Sequence, residues 1–400
     1  MNQTLMNTFM NTYHRLPVVF TGGSGVYLTD REGKTYLDFT SGIAVNCLGH
    51  KHPALVRAIS SQAERLIHTS NYFLSDISLA FADRLVQACR GAGMERVFLC
   101  NSGAEANEGA IKIARKYSQT RYGNGRHRII TLKGSFHGRT LATLSATGQE
   151  RFHPDSFAPY VEGFVYVEPN DVTAVDKALD GTVAAVLMEP IQGESGIRPL
   201  EFSYVQQVAR LCQERDVLLM FDEVQSGMGR TGAFLASEIY QVQIDVVSLA
   251  KGLAGGVPIG AVLAGRKTAE TLGVGDHGST FGGNPLAAAA GLAVLSEVDR
   301  PEMLHEIKRK GDLIMDKVRS WKHPAVGEIR GRGLMIGIDI TSDAWPVLEA
   351  ALKQGLLLLS AGQKTLRLLP PYIITDTEIA EGLGILKTIL DSLPLEQSGL

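Results

Sequence analysis

Residues 217–232 read VLLMFDEVQSGMGRTG, and residues 245–265 read DVVSLAKGLAGGVPIGAVLAG. The first stretch opens with an apolar run that ends in two carboxylates. This is the pattern of a buried strand with Asp222 and Glu223 at its carboxyl end. The second repeats the design with Lys251 just past its strand. In open α/β sheets, ligands sit outside the carboxyl ends of the strands, so Asp222 and Lys251 are expected to face one crevice. A lysine among small residues and glycines suits Schiff-base chemistry. Its amine must reach a carbonyl carbon and be partly neutral, which desolvation or a neighbouring cation favours. An ionised carboxylate suits the far end of a pyridoxal ring, where it keeps the ring nitrogen protonated so that the ring accepts electrons. Taken alone, each residue has an ordinary reading, as a solvated lysine or a turn-capping aspartate. The rest of the chain decides between them.

The 400 residues are 44% hydrophobic and 20% charged, which fits a large globular subunit of two domains. A net charge of −3 gives no reason to expect nucleic acid or an anionic membrane as partner. Glycine, at 43 residues, exceeds the usual share of about 7% and suggests many tight turns or close backbone–ligand approaches. Cys47, Cys89, Cys100 and Cys212 show neither a CxxC pair nor metal-ligand spacing, which favours a reducing compartment. The N-terminal MNQTLMNTFMNTYHRLP lacks a basic stretch followed by an apolar one, and no apolar run approaches the ~20 residues of a membrane span. A cytoplasmic protein is expected.

Residues 18–38 alternate on either side of an Asp30–Gly33 turn, a hairpin signal. Two amphipathic helices follow, one opening at Pro53 and one capped by Ser75. From Arg96 the pattern becomes strand then helix: RVFLC, NSGAEANEGAIKIARKYSQ, RIITL, VAAVLME, FSYVQQVARLCQER and then the two opening stretches. Such alternation predicts a doubly wound, mostly parallel sheet covered on both faces. After Pro301 a long polar helix, the stretch EIRGRGLMIGIDI, short strands and a closing helix from Asp376 predict an α+β segment that packs with the N-terminal hairpin. The expected division is residues 46–300 as a large domain, with residues 1–45 and 301–400 forming a smaller one.

Five further stretches carry chemistry. NSGAEANE (101–108) joins a strand to a helix through Ser102, Gly103 and Ala104, leaving backbone N–H groups open as an anion site; it reads equally as a plain helix cap. GSFHGRT (134–140) sets Phe136, His137 and Arg139 in a turn, where an aromatic can cover a planar ring and an arginine can clamp a carboxylate. EPIQGESG (189–196) ends a strand with Glu189, Gln192 and Glu194, and DHGSTFGGNP (276–285) offers Ser279 and Thr280 to a phosphate. LRLLPPYII (366–374) places Arg367 in an apolar strand, where an unpaired charge is costly and a carboxylate is needed.

These motifs, in this order and over nearly the whole chain, resemble the class III aminotransferases. They are most similar to the bacterial acetylornithine aminotransferases, through FTSGIAVNCLGHKHP, NSGAEANEGAIK, SFHGRT, GRTG, AKGLAGGVPIGA, STFGGNPLA and RLLPP. The resemblance implies fold type I, pyridoxal 5′-phosphate (PLP) as cofactor and a homodimer with shared sites. It implies Lys251 as the residue that binds the cofactor covalently, Asp222 as partner of the ring nitrogen and Gln225 as neighbour of the phenolic oxygen. Ser102, Gly103 and Ala104 would hold the phosphate together with Thr280 from the partner subunit, while Phe136 and Val224 would cover the ring faces. Arg139 and Ser279 would line the donor's carboxylate end, Arg367 would take glutamate's α-carboxylate, and Glu194 would be its switchable partner. The reaction implied moves the δ-amine of N-acetylornithine to 2-oxoglutarate, a step of arginine biosynthesis. Ornithine or succinylornithine as donor, an aminomutase, and a silent PLP-binding protein are the alternatives. Tyr13 in NTYHRLP resembles an ornithine-contacting tyrosine and points to the first of these.

Overall fold

A computed structural model describes residues 8–393; residues 1–7 of the N-terminal stretch lie outside the described part, as do 394–400. The chain opens with β1 (Phe20–Ser24), β2 (Tyr27–Asp30) and β3 (Thr35–Asp38), antiparallel neighbours joined by tight turns. Asp30 fixes the second turn by accepting the backbone N–H groups of Glu32 and Lys34. The middle of the chain supplies β4 (Met94–Cys100), β5 (Arg128–Leu132), β6 (Phe164–Val167), β7 (Val183–Met188), β8 (Ile191–Gln192), β9 (Arg198–Pro199), β10 (Leu218–Asp222), β11 (Val246–Leu249) and β12 (Gly260–Gly265). The last part adds β13 (Val326–Arg332), β14 (Met335–Ile340), β15 (Leu356–Leu357), β16 (Leu359–Ser360) and β17 (Thr365–Leu368).

The central sheet has seven strands in the order β4-β12-β11-β10-β7-β5-β6. The pairs β11–β10, β10–β7, β7–β5 and β5–β6 are parallel, and β12 alone runs against its neighbours. Every residue of β7, β10, β11 and β12 is buried, as expected for strands covered by helices on both faces. Gly103–Tyr122 covers one face of the sheet, packing against β12 and β11, and Phe202–Glu214 packs against β10. Pro285–Val298, rich in alanine, lies against the helices that begin at Pro53 and Asp76.

The two chain ends meet in a four-stranded sheet, because β15 pairs in parallel with β3. A second four-stranded sheet, β13-β14-β17-β16, carries Arg367 on β17. The parallel direction of the central strands brings the residues that follow β4, β5, β7, β10 and β11 to one edge, and the residues that enter antiparallel β12 arrive there too. The site forms along that edge.

Candidate active site

A cavity of about 470 Å³ opens along this edge. Asn101–Ala104 line it after β4, Phe136–Arg139 after β5 and Glu189 after β7; Asp222, Val224 and Gln225 line it at the end of β10, and Lys251 after β11. Its size and its mix of apolar walls with a few convergent polar groups suit a small cofactor with its substrate.

Asp222 is buried at the floor and tightly oriented. Its Oδ2 accepts His137 Nδ1 at 2.8 Å and Asn107 Nδ2 at 2.7 Å, and its Oδ1 accepts the Val224 N–H at 3.0 Å. A carboxylate offers about four acceptor positions, so one remains on Oδ1. Lys251 sits at φ 44°, in the left-handed region that a side chain rarely adopts. Burial lowers its pKa below the ordinary lysine value; Asp222 and Glu194 oppose that shift and Arg367 adds to it. An amine whose charged form is disfavoured by burial, beside an oriented carboxylate, suits condensation with an aldehyde.

The helix Gly103–Tyr122 points its N-terminus at the same space. Ser102 caps it by accepting the Glu105 N–H at 3.2 Å, which leaves the first N–H groups of the helix without intrahelical acceptors. Gly103 is required by close packing: a Cβ there would come within 2.7 Å of the Val224 side chain.

Glu189 ties two walls together. Its Oε1 accepts the Phe136 N–H at 2.8 Å, and its Oε2 accepts the Gly193 N–H at 3.0 Å. Burial raises its pKa, and the charge of Asp222 adds to the rise. Glu223 faces away from the cavity and accepts the N–H groups of Ala236 and Ser237, at the start of the helix Ala236–Tyr240.

Arg139 is exposed at the mouth, with its guanidinium 4.0 Å from the Phe152 ring centroid and 5.6 Å from that of Phe136. Among the described residues it has no carboxylate partner, so its donors remain open to an anion. Arg367 is buried and pairs with Glu194 at 2.5 Å, which resolves the cost of its charge in an apolar strand. That pairing holds the Glu194 carboxyl below the usual range against the effect of burial.

Five of the site residues expected from the sequence lie outside the cavity wall: the paired Glu194 and Arg367, and Ser279, Thr280 and Tyr13. Ser279 Oγ accepts Asn101 Nδ2 and the Gly282 N–H, each at 3.0 Å, and Thr280 is exposed beside it. Tyr13 is exposed in a stretch without helix or strand, its ring 5.5 Å from the Arg15 guanidinium. Conversely, Asn107 and His137 hold Asp222 although sequence reasoning gave neither a role. The available signal was a polar Asn107 among the buried Ala106, Ala110, Ile111 and Ala114 of its helix.

The residues present fit PLP. The free helix N-terminus suits a phosphate, Asp222 keeps an acceptor position for a ring N–H, and buried Gln225 Oε1 has no partner among the described residues. Lys251 supplies the amine. A family model described as aminotransferase class-III matches residues 8–390. An acetylornithine aminotransferase from Caldanaerobacter subterraneus subsp. tengcongensis is 48% identical over 387 residues, covering 96% of this chain and 97% of its own. The solved structure of N-acetylornithine aminotransferase from Stenotrophomonas maltophilia K279a matches with a TM-score of 0.84 at 40% identity, over 97% of this chain and 98% of its own. Ornithine aminotransferase from Toxoplasma gondii, with partial occupancy of PLP at its active site, matches with a TM-score of 0.91 at 34% identity, over 96% of this chain and 93% of its own. With the likeness running from the N-terminal hairpin through the lysine and arginine strands, this chain belongs to the class-III aminotransferases, which use PLP.

Proposed function

We propose that this protein transfers the δ-amino group of N-acetylornithine to 2-oxoglutarate, yielding N-acetylglutamate 5-semialdehyde and glutamate, as a cytoplasmic homodimer. The observation that carries the reading is the contrast between two arginines: Arg139 is open at the mouth, whereas Arg367 is neutralised by Glu194. N-acetylornithine brings its reacting amine far from its carboxylate, and Arg139 serves that distant anion. Glutamate carries a second carboxylate beside its reacting amine, and only then is Arg367 needed. The names of the relatives at 40–48% identity support the same donor.

PLP, when bound, supplies an aldehyde for the amino group and a ring that takes up electrons. Lys251 Nζ is the amine that would hold that aldehyde, and it would act as the base that moves the proton at the substrate carbon. Asp222 Oδ1 would accept the ring N–H. Ser102, Gly103 and Ala104 would hold the phosphate, joined by Thr280 of a second copy, while Phe136 and Val224 would cover the ring and Gln225 would meet its phenolic oxygen. Ser279 lines the donor's far end. Exposed Ile67, Tyr72, Phe73, Leu74 and Phe281 cluster around the Ser279–Thr280 loop and support a covered face there. In this reading residues 46–300 form the large domain, and residues 1–45 with 301–400 the small one.

The test is stoichiometry. N-acetylornithine with 2-oxoglutarate should give equimolar semialdehyde and glutamate, and without an acceptor the product should stop at one equivalent per site. Continued conversion without acceptor would mean an aminomutase, and no conversion at all a silent PLP-binding protein.

A further inference from the structure

Glu194 lies on the tip of a small hairpin. Strands β8 and β9 pair through Ile191–Pro199 and Gln192–Arg198, leaving Gly193–Ile197 as the turn. Glu189 grips the tip at one end through the Gly193 N–H. The other end is gripped from a different sheet: Arg330 on β13 donates Nε to the Gly196 carbonyl at 2.8 Å.

Arg330 is itself immobilised. Its Nη1 and Nη2 donate to the two carboxylate oxygens of Asp339 on β14 at 2.7 and 2.8 Å, a fork that fixes the guanidinium plane. The tip also lies flat on β14. A Cβ at Gly337 would come within 2.9 Å of the Gly196 carbonyl oxygen and 3.0 Å of Ile197 Cβ. In the β14–β17 ladder Gly337 stands opposite Arg367. The hairpin that bears Glu194 is therefore seated on the strand position that faces the arginine it neutralises.

We propose that Arg330, held by Asp339, is a positioning residue that sets substrate choice by fixing the Glu194 tip against the Arg367 strand. The inference rests on the reading of Glu194 and Arg367 given above. With the backbone pinned at Gly193 and Gly196, opening the pair requires only side-chain rotation of Glu194, and closing it restores one geometry. A loosened tip leaves Arg367 unneutralised more of the time. That favours donors with a carboxylate beside the reacting amine over N-acetylornithine.

Two variants attack the contact from opposite sides. Arg330→Lys keeps a cation beside Asp339 but loses the fork and the bond to Gly196; Gly337→Ala leaves Arg330 intact and lifts the tip. In single-turnover half-reactions, both should raise the ratio of glutamate to N-acetylornithine specificity by about fivefold or more, mainly through weaker N-acetylornithine binding. Amide hydrogen exchange within residues 193–197 of the cofactor-free protein should quicken in both, while exchange in β7 and β10 stays unchanged. An unmoved ratio despite faster tip exchange, or an equal loss in both halves, overturns the inference. Failure of the substrate reading looks different: the wild type would then not react with N-acetylornithine at all.

Discussion

His137 Nδ1 donates to Asp222 Oδ2 across 2.8 Å, with both side chains buried beneath the cavity floor. Asn107 donates to the same oxygen, so the carboxylate has one orientation, with Oδ1 toward the cavity. Asp222→Asn keeps the shape and removes the anion, and kcat should fall by about 10³-fold or more. His137→Asn keeps the anion and loosens its aim, so about a 10- to 100-fold loss is expected. The check is steady-state kinetics on variants that retain bound PLP. A loss below about tenfold in Asp222→Asn would mean that another group protonates the ring.

Lys251 gives a pH signature. Burial disfavours its ammonium form, so the amine is released as pH rises with a midpoint below the ordinary lysine value of 10.5. The rate at which the cofactor-free protein attaches PLP should rise through that midpoint. Asp222 holds the midpoint up, so Asp222→Asn should move it further down. A midpoint at or above 10.5 in the wild type, or an upward move in the variant, contradicts this electrostatic account.

The placement of Thr280 outside its own cavity leads to a mixing experiment. Inactive Lys251→Ala and an inactive bulky Thr280 variant, mixed under proven subunit exchange, should recover part of the activity, because a hybrid dimer holds one intact site. No recovery would place Thr280 in the site of its own subunit.

Most of the fold is legible because its strands are buried on both faces: VAAVLME and VLLMFDE have no competing periodicity, and each ends in a carboxylate. The antiparallel course of β12 is not legible, since an apolar run carries no direction. Nor is β6, or the hairpin of β8 and β9, whose strands are only two residues long. At the site, Lys251, Asp222 and Ser102–Ala104 stand out because glycines and strand ends mark them. His137 appears within GSFHGRT without a role, because its partner Asp222 lies 85 residues away and only the sheet order brings the two together. The grip of Arg330 on Gly196 spans 134 residues and two sheets, and for the same reason no local pattern announces it.

Free ornithine brings a second ammonium to the α-carbon end, and among the described residues the nearby carboxylates are already engaged: Glu194 by Arg367, Glu189 by the Phe136 and Gly193 N–H groups, and Asp222 by His137 and Asn107. A neutral acetamide needs only ordinary polar contacts. An unpaired buried ammonium costs several kcal/mol, so discrimination of about 10²-fold follows at roughly 1.4 kcal/mol per decade. The measurement is kcat/KM for N-acetylornithine and for ornithine with 2-oxoglutarate as acceptor, in the wild type and in Tyr13→Phe. N-acetylornithine should lead by about two decades, with little change in Tyr13→Phe. Equal or better use of free ornithine by the wild type, collapsing in Tyr13→Phe, would contradict this and identify an ornithine aminotransferase.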